Sequence, residues 1–239
     1  MKLDILVIAV HPDDAELGCA GTILSHVAQG KKVGLVDLTR GELGTRGTPE
    51  LRLQEAAAAA AVLGLSVREN LGFRDGFFRN DEEHQLALIP AIRRYRPDIV
   101  FANALTDRHP DHGRAADLIR DTCFYAGLRQ VKTCEADGTE QAAWRPRQLF
   151  HFIQDRYLKP DFVVDVSDFW EQKLASIRAY RSQFYDPAST EPQSYISSEA
   201  FWRFLEARSR EMGHLIGVTH GEGFTSERML GVKSVTEFL

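Results

Sequence analysis

Residues 5–18, ILVIAVHPDDAELG, constrain the fold of this chain more than any other segment. The first six are apolar and mostly β-branched, which is typical of a strand buried on both faces of a sheet. Pro12 ends that strand, because proline lacks the N–H that a sheet ladder requires. His11, Asp13 and Asp14 therefore lie where a buried strand reaches the surface. In an open parallel sheet this edge binds ligands, so the segment predicts half of a functional site.

Strand and helix patterns alternate along the first half of the chain. Such alternation indicates an α/β fold with a mainly parallel sheet and right-handed crossovers. The patterns predict strands at 5–10, 33–39, 67–72 and 98–103, and helices at 15–28, from 49, at 81–95 and after 112. Pro90 predicts a kink or a restart in the third helix. Strands at 148–154 and 162–166 and helices at 167–180 and 198–213 follow. We find no linker or repeat, so residues 1–239 are expected to form a single domain.

A second turn, His109-Pro110-Asp111-His112, follows the strand at 98–103. In a doubly wound sheet the first strand neighbours both the second and the fourth, so this turn and the first one should face one crevice. Two histidines and a carboxylate are a common ligand set for catalytic zinc, which keeps a fourth position for water. The remaining carboxylates can act as general base or orient a histidine. Each turn alone could instead be an ordinary helix cap with a partly buried histidine.

Both turns also carry the motifs of a known family. Residues 9–18 (AVHPDDAELG), 39–42 (TRGE), Arg52 with Glu55, 109–112 (HPDH) and 221–224 (GEGF) resemble the LmbE-like (PIG-L type) zinc-dependent N-deacetylases. The resemblance is strong over residues 3–125 and weak beyond them. It implies a Rossmann-like three-layer sandwich. Within the family the chain looks most like the bacillithiol-pathway enzymes that remove acetate from N-acetylglucosaminyl malate.

The resemblance implies roles for residues of both turns. Zinc ligands would be His11, Asp14 and His112, with one Zn²⁺ per subunit. Asp13 would be the general base on water. His109 would stabilise the oxyanion or assist the departing amine, and Asp111 would orient His109.

Three further residues are candidates for binding the substrate, an N-acetylated amino-sugar conjugate. Arg52 and Arg108 lie near the same crevice, and an arginine fork suits a carboxylate such as a malyl group. An isolated arginine is as often a solvated or salt-bridged residue. Tyr195 resembles a family tyrosine that approaches the substrate.

Composition sets the remaining expectations. A formal net charge of −5 argues against a broad nucleic-acid-binding face, which is normally basic. No apolar run approaches the ~20 residues that span a bilayer, so no membrane partner is expected. Three cysteines without CxxC spacing, and no signal-peptide pattern, predict a reducing, cytoplasmic location. By analogy with the family, the chain is expected to be a homo-oligomer.

Two other classes of function compete with a deacetylase. A metal-dependent hydrolase of another amide or of a phosphoester would use similar residues, although two-metal phosphoesterases need more carboxylates. A sugar- or nucleotide-binding module without chemistry would favour a GxGxxG turn after the first strand. This chain has His-Pro-Asp-Asp there, which favours an enzyme.

Overall fold

The computed structural model describes residues 1–238. It consists of a seven-stranded sheet with helices on both faces. The strands are Ile5–Ala9 (β1), Val33–Thr39 (β2), Val67–Phe73 (β3), Ile99–Ala102 (β4), Gln148–Phe152 (β5), Phe162–Asp165 (β6) and Gly221–Ser226 (β7). The helices are Asp14–Ala28 (α1), Pro49–Leu63 (α2), Glu82–Tyr95 (α3), Pro110–Ala126 (α4), Trp170–Arg178 (α5) and Glu199–Leu215 (α6), with 3₁₀ turns at Ser167–Phe169 and Val235–Phe238.

The strand order is β3-β2-β1-β4-β5-β7-β6. The first five of these strands pair in parallel, and β7 runs antiparallel to both β5 and β6. The predicted α/β class with a mainly parallel sheet is confirmed. Because β1 lies between β2 and β4, the chain crosses over in opposite directions on either side of it, which opens a crevice at the carboxyl end of β1.

The sheet is the middle of three layers. Side chains alternate along β1, so Leu6 and Ile8 pack in a cluster with α3 and α4, whereas Ile5 and Val7 pack in a cluster with α1. All five residues of β1 are buried. This burial on both faces explains why the strand is a continuous apolar run rather than an alternating one.

Two elements differ from the sequence-based expectation. Strand β7 was not predicted, because its sequence GEGFTS has no apolar run and two glycines that disfavour a strand. It is stabilised by pairing with β5 and β6 on its two sides. Helix α3 continues through Pro90 without a break, so the alternative of a restart was wrong and the kink stays a prediction.

None of the helices within residues 1–238 combines the length and apolar character needed to cross a membrane. The described cysteines, Cys19, Cys123 and Cys134, are all free thiols.

Candidate metal and active site

A cavity of about 400 Å³ opens at the carboxyl ends of β1 and β4. Residues of both turns line it, as the strand order requires: His11, Asp13, Asp14, His109 and His112. Asp13, Asp14 and His112 are buried, and the two other histidines are partly buried. The cavity therefore has a floor of imidazoles and carboxylates, which is the site that the two motifs predicted.

The first turn has an unusual backbone. Asp13 precedes α1 with φ 122°, a conformation that costs a non-glycine residue free energy and is typical of functional sites. The turn aims the next side chain backwards, so that Asp14 Oδ2 accepts the N–H of His11 at 2.9 Å. Both carboxylates are thereby placed at the cavity instead of pointing into solvent.

Two histidines flank the Asp14 carboxylate, and each is held by a second carboxylate on its other ring nitrogen. His11 Nε2 donates to Asp75 Oδ1 at 2.9 Å, and His112 Nδ1 donates to Asp107 Oδ2 at 2.5 Å. A carboxylate only accepts, so these two ring nitrogens each carry a proton. The other nitrogens, His11 Nδ1 and His112 Nε2, lie 3.4 Å and 3.1 Å from the carboxylate of Asp14. Each imidazole thus lies between two carboxylates, and the two imidazoles share Asp14.

Such an arrangement favours a cation at its centre. Burial alone would lower the pKa of His11, but hydrogen bonds to Asp14 and Asp75 outweigh it and raise the pKa to about 10. Burial likewise opposes the charge on His112, whereas Asp14 and Asp107 raise its pKa to about 9. His, His and carboxylate form a normal zinc set, and a histidine ligand usually donates its second nitrogen to a carboxylate. The residues present therefore fit a zinc ion.

His109 lies beside this set. The rings of His11, His109 and His112 each offer a nitrogen within 4.8 Å of the other two. His109 Nδ1 accepts the backbone N–H of Asp111 at 3.3 Å, so a neutral His109 carries its proton on Nε2. Burial, and then the charge of the neighbouring histidines, lowers its pKa. His109 is therefore a neutral hydrogen-bond donor at the cavity.

The side chain of Asp111 does not contact His109, contrary to the expectation that this carboxylate orients it. Asp111 Oδ1 pairs with Arg114 at 2.6 Å, and Oδ2 accepts the N–H of Gly76 at 2.8 Å. The backbone of Asp111 makes the contact with His109 instead, because α4 begins at Pro110 and turns that N–H toward the ring.

Arg52 lies in the cavity wall, but its contacts are with the protein. Its Nη2 donates to Asp13 Oδ2 at 2.8 Å and to the carbonyl oxygen of Pro12 at 2.5 Å. Burial raises the pKa of Asp13 to about 7 against the opposing charge of Arg52. Gly41 is required beside this pair, because a Cβ there would lie 2.2 Å from Arg52 Nη1. These contacts favour a positioning role; binding of substrate by Arg52 stays a prediction.

Arg108 and Tyr195 lie at the mouth of the same cavity. The Arg108 guanidinium stacks over the Tyr195 ring at 4.3 Å, and its Nε lies 3.6 Å from Asp155 Oδ2. Both side chains are roughly half exposed, Arg108 at 46% and Tyr195 at 49%. They are thus accessible to a ligand, and their predicted contact with substrate stays a prediction.

Four polar residues of the site were missed in the sequence. Asp75 and Asp107 hold the two histidines, and Asn103 and Gln154 hold Asp14. All four follow the carboxyl ends of strands β3, β4 and β5. The rule that located the two motifs applies equally to these positions. The sequence does not indicate which polar residues at that edge point into the cavity.

The chain is similar to known proteins. The family model "PIG-L: GlcNAc-PI de-N-acetylase" matches residues 6–123, which include both turns. Diacetylchitobiose deacetylase of Thermococcus kodakarensis is 31% identical over 75% of this chain and 70% of its own length. The chain belongs to the PIG-L (LmbE-like) family. The T. kodakarensis relative is named a deacetylase, and the chain is a hydrolytic enzyme.

Two further comparisons extend over most of the chain. A crystal structure of the conserved protein TT1542 from Thermus thermophilus is 40% identical, with a TM-score of 0.85 over 97% of this chain and 98% of that one. A probable N-acetyl-α-D-glucosaminyl L-malate deacetylase 2 of Bacillus subtilis is 28% identical over 77% of this chain and 84% of its own length. The similarity to TT1542 thus covers both the motif-rich half and the remainder of the chain.

Proposed function

We propose that this chain is a zinc-dependent N-deacetylase that hydrolyses the acetamide of an N-acetylglucosamine conjugate. One observation carries the proposal. Ring nitrogens of His11 and His112 lie 3.4 Å and 3.1 Å from the carboxylate of Asp14, beside a second buried carboxylate, Asp13, at the floor of a cavity. A site of this kind can hold a metal and a proton acceptor together, which amide hydrolysis requires.

His11, Asp14 and His112 would hold the zinc ion. When bound, zinc supplies Lewis acidity that polarises a carbonyl and makes water acidic near neutral pH. Asp75 and Asp107 orient the two imidazoles through the hydrogen bonds described above. These hydrogen bonds fix the orientation of the two rings.

Asp13 acts as the general base. It is buried, its carboxylate is held by Arg52 at the cavity, and its pKa of about 7 suits proton transfer near neutrality. Its carboxylate removes the proton from the attacking water. Once protonated, it returns that proton to the nitrogen of the departing amine, so that acetate and a free amino sugar result.

His109 stabilises the developing oxyanion. Its Nε2–H is free to donate, because Nδ1 accepts the N–H of Asp111. A preorganised donor that faces a developing negative charge is among the larger contributions to acyl-transfer catalysis. Substitution of one such donor typically lowers kcat by about 10²–10³-fold.

The malate conjugate is the specific substrate we propose. Two features support it: the similarity to the B. subtilis relative named for that substrate, and the exposed Arg108 guanidinium at the cavity mouth, which suits a carboxylate. The proposed substrate is a small molecule. We also propose that the chain forms a homo-oligomer and that it is located in the cytoplasm.

A second candidate is a deacetylase for another N-acetyl sugar. One wall of the cavity is apolar and aromatic, formed by Leu17, Ile196, Phe201, Phe204 and Leu205. Such a wall suits the apolar face of a second sugar ring or a larger aglycone. The relative from T. kodakarensis is named for a disaccharide substrate.

Acetate release from three substrates tests both candidates. The zinc-loaded protein is given N-acetylglucosaminyl malate, diacetylchitobiose and free N-acetylglucosamine, with Asp13→Ala as the control. We expect rapid release from the malate conjugate, weak release from the free sugar and none from the control variant, which should retain its zinc. Faster release from diacetylchitobiose would overturn the malate assignment and keep the chemistry. Absence of release from all three, with zinc bound, would contradict the proposed activity on these conjugates.

A further inference from the structure

We infer that Asn103 and Gln154 form an amide clamp that positions Asp14 as a metal ligand. The inference rests on the proposed metal site and adds two residues to it. Asn103 follows β4, Gln154 follows β5, and Asp14 begins α1 after β1. Three adjacent strands of the sheet therefore each contribute one member of the cluster.

The clamp holds both oxygens of the Asp14 carboxylate. Gln154 Nε2 donates to Asp14 Oδ1 at 3.0 Å, and Asn103 Nδ2 donates to Asp14 Oδ2 at 3.1 Å. The N–H of His11 also donates to Oδ2, at 2.9 Å. Asp14 is only 3% exposed and Asn103 is fully buried, so water does not replace these donors. Neutral donors thus fix the rotation of the carboxylate about its last bond.

The backbone dictates the orientation of both amides. Asn103 Oδ1 accepts the N–H of Val10 at 3.0 Å, which leaves the NH₂ group of Asn103 facing Asp14. That same NH₂ donates its second proton to Gln154 Oε1 at 2.9 Å. The NH₂ group of Gln154 must then face Asp14. A single buried N–H at the end of β1 therefore sets the direction of every hydrogen bond in the clamp.

Fixing the carboxylate matters because its two oxygens have different neighbours. His112 Nε2 lies 3.1 Å from Oδ1, and His11 Nδ1 lies 3.4 Å from Oδ2. A rotated carboxylate would no longer place one oxygen beside each imidazole. Residues that orient a ligand in this way typically change metal affinity by about 10–100-fold when they are substituted.

Gln154→Met tests the clamp, because methionine keeps the length of glutamine and removes both amide contacts. The matched control is Gln141→Met. Gln141 is also buried, and its amide donates to the carbonyl oxygen of Pro90 and to Glu135, outside the cavity. The full-length proteins are compared by Zn²⁺ affinity in competition with a chelating dye, by the visible absorption spectrum of bound Co²⁺, and by thermal unfolding of the metal-free forms. Gln154→Ala is a second variant.

We expect Gln154→Met to bind Zn²⁺ about 10–100-fold more weakly and to show an altered Co²⁺ spectrum. Gln141→Met should keep the wild-type affinity and spectrum at a comparable melting temperature. Wild-type affinity and spectrum in both Gln154 variants would overturn the clamp while leaving the metal site intact. Failure of the wild-type protein itself to bind Zn²⁺ or Co²⁺ would overturn the metal site and the clamp together.

Discussion

At the scale of single residues, a buried ion pair supports the proposed general base. Asp13 and Arg52 are both buried, and the Arg52 fork bridges the Asp13 carboxylate and the Pro12 carbonyl. The fork therefore holds both Pro12 and Asp13, and the backbone between them carries the positive φ of Asp13. This geometry makes Arg52 a positioning residue that acts through Asp13.

Arg52→Gln distinguishes positioning from substrate binding. Because Arg52 acts on the proposed base, we expect kcat to fall at least about 10-fold with little change in KM, and stability to fall by about 3–5 kcal/mol, since the buried Asp13 charge loses its partner. Steady-state kinetics with the proposed malate conjugate, together with urea unfolding, measure the two effects. Arg108→Gln, at the cavity mouth, should mainly raise KM. A raised KM and an unchanged kcat for Arg52→Gln would instead support the original prediction of substrate contact.

At the scale of elements, α1 is two helical segments joined at a kink. Cys19 has non-helical angles, φ −145° and ψ 18°. The N–H groups of Gly21 and Thr22 both donate to the Glu222 carboxylate, at 2.9 Å and 2.7 Å. Lys173 of α5 pairs with the same carboxylate at 2.6 Å. Glu222 therefore connects β7, on which it lies, to α1 and α5. It belongs to the GEGF segment, one of the motifs that resemble the family.

Glu222→Ala is expected to destabilise the fold by about 3–5 kcal/mol, because Lys173 is left buried and unpaired. Thermal and urea unfolding measure the loss. The double variant Glu222→Ala with Lys173→Met should recover part of it, since no buried charge remains. Glu206→Ala, which breaks an exposed pair with Arg210 on α6, should cost less than about 1 kcal/mol. A similarly small cost for Glu222→Ala would show that the junction does not depend on this carboxylate.

At the scale of the whole molecule, the metal site joins distant parts of the chain. The proposed ligands follow β1 and β4, and their hydrogen-bonding partners follow β3, β4 and β5. An unfolded chain does not assemble such a site. A bound metal therefore stabilises only the folded state.

Sedimentation equilibrium at micromolar concentration tests the predicted homo-oligomer, which a pure monomer would contradict.

Removal of metal should lower the melting temperature. At free Zn²⁺ about 100-fold above its Kd, the gain is about 2.7 kcal/mol, which corresponds to about 5–10 °C for a domain of this size. Differential scanning calorimetry of chelator-treated and zinc-loaded protein measures the shift. His112→Ala removes a proposed ligand and should abolish the difference. Equal melting temperatures for the two wild-type samples would contradict the metal site.

The sequence by itself determined the strands of the parallel core and the two turns of the site. Strands buried on both faces are continuous apolar runs, and proline and charged residues mark their ends. These signals are local, so β1 and β2, and the placement of His11 and His112 at one edge, follow from residue order alone.

Only the tertiary structure decided which polar side chains touch. Asp75 on His11 and Gln154 on Asp14 join residues far apart in the chain, and nothing local to either residue indicates its partner. The same holds for Arg52, whose guanidinium binds Asp13, and for β7, whose glycine-containing sequence forms a strand because β5 and β6 supply its hydrogen-bond partners. Hydrogen bonds and ion pairs are short-ranged and directional, so their partners are settled by folding.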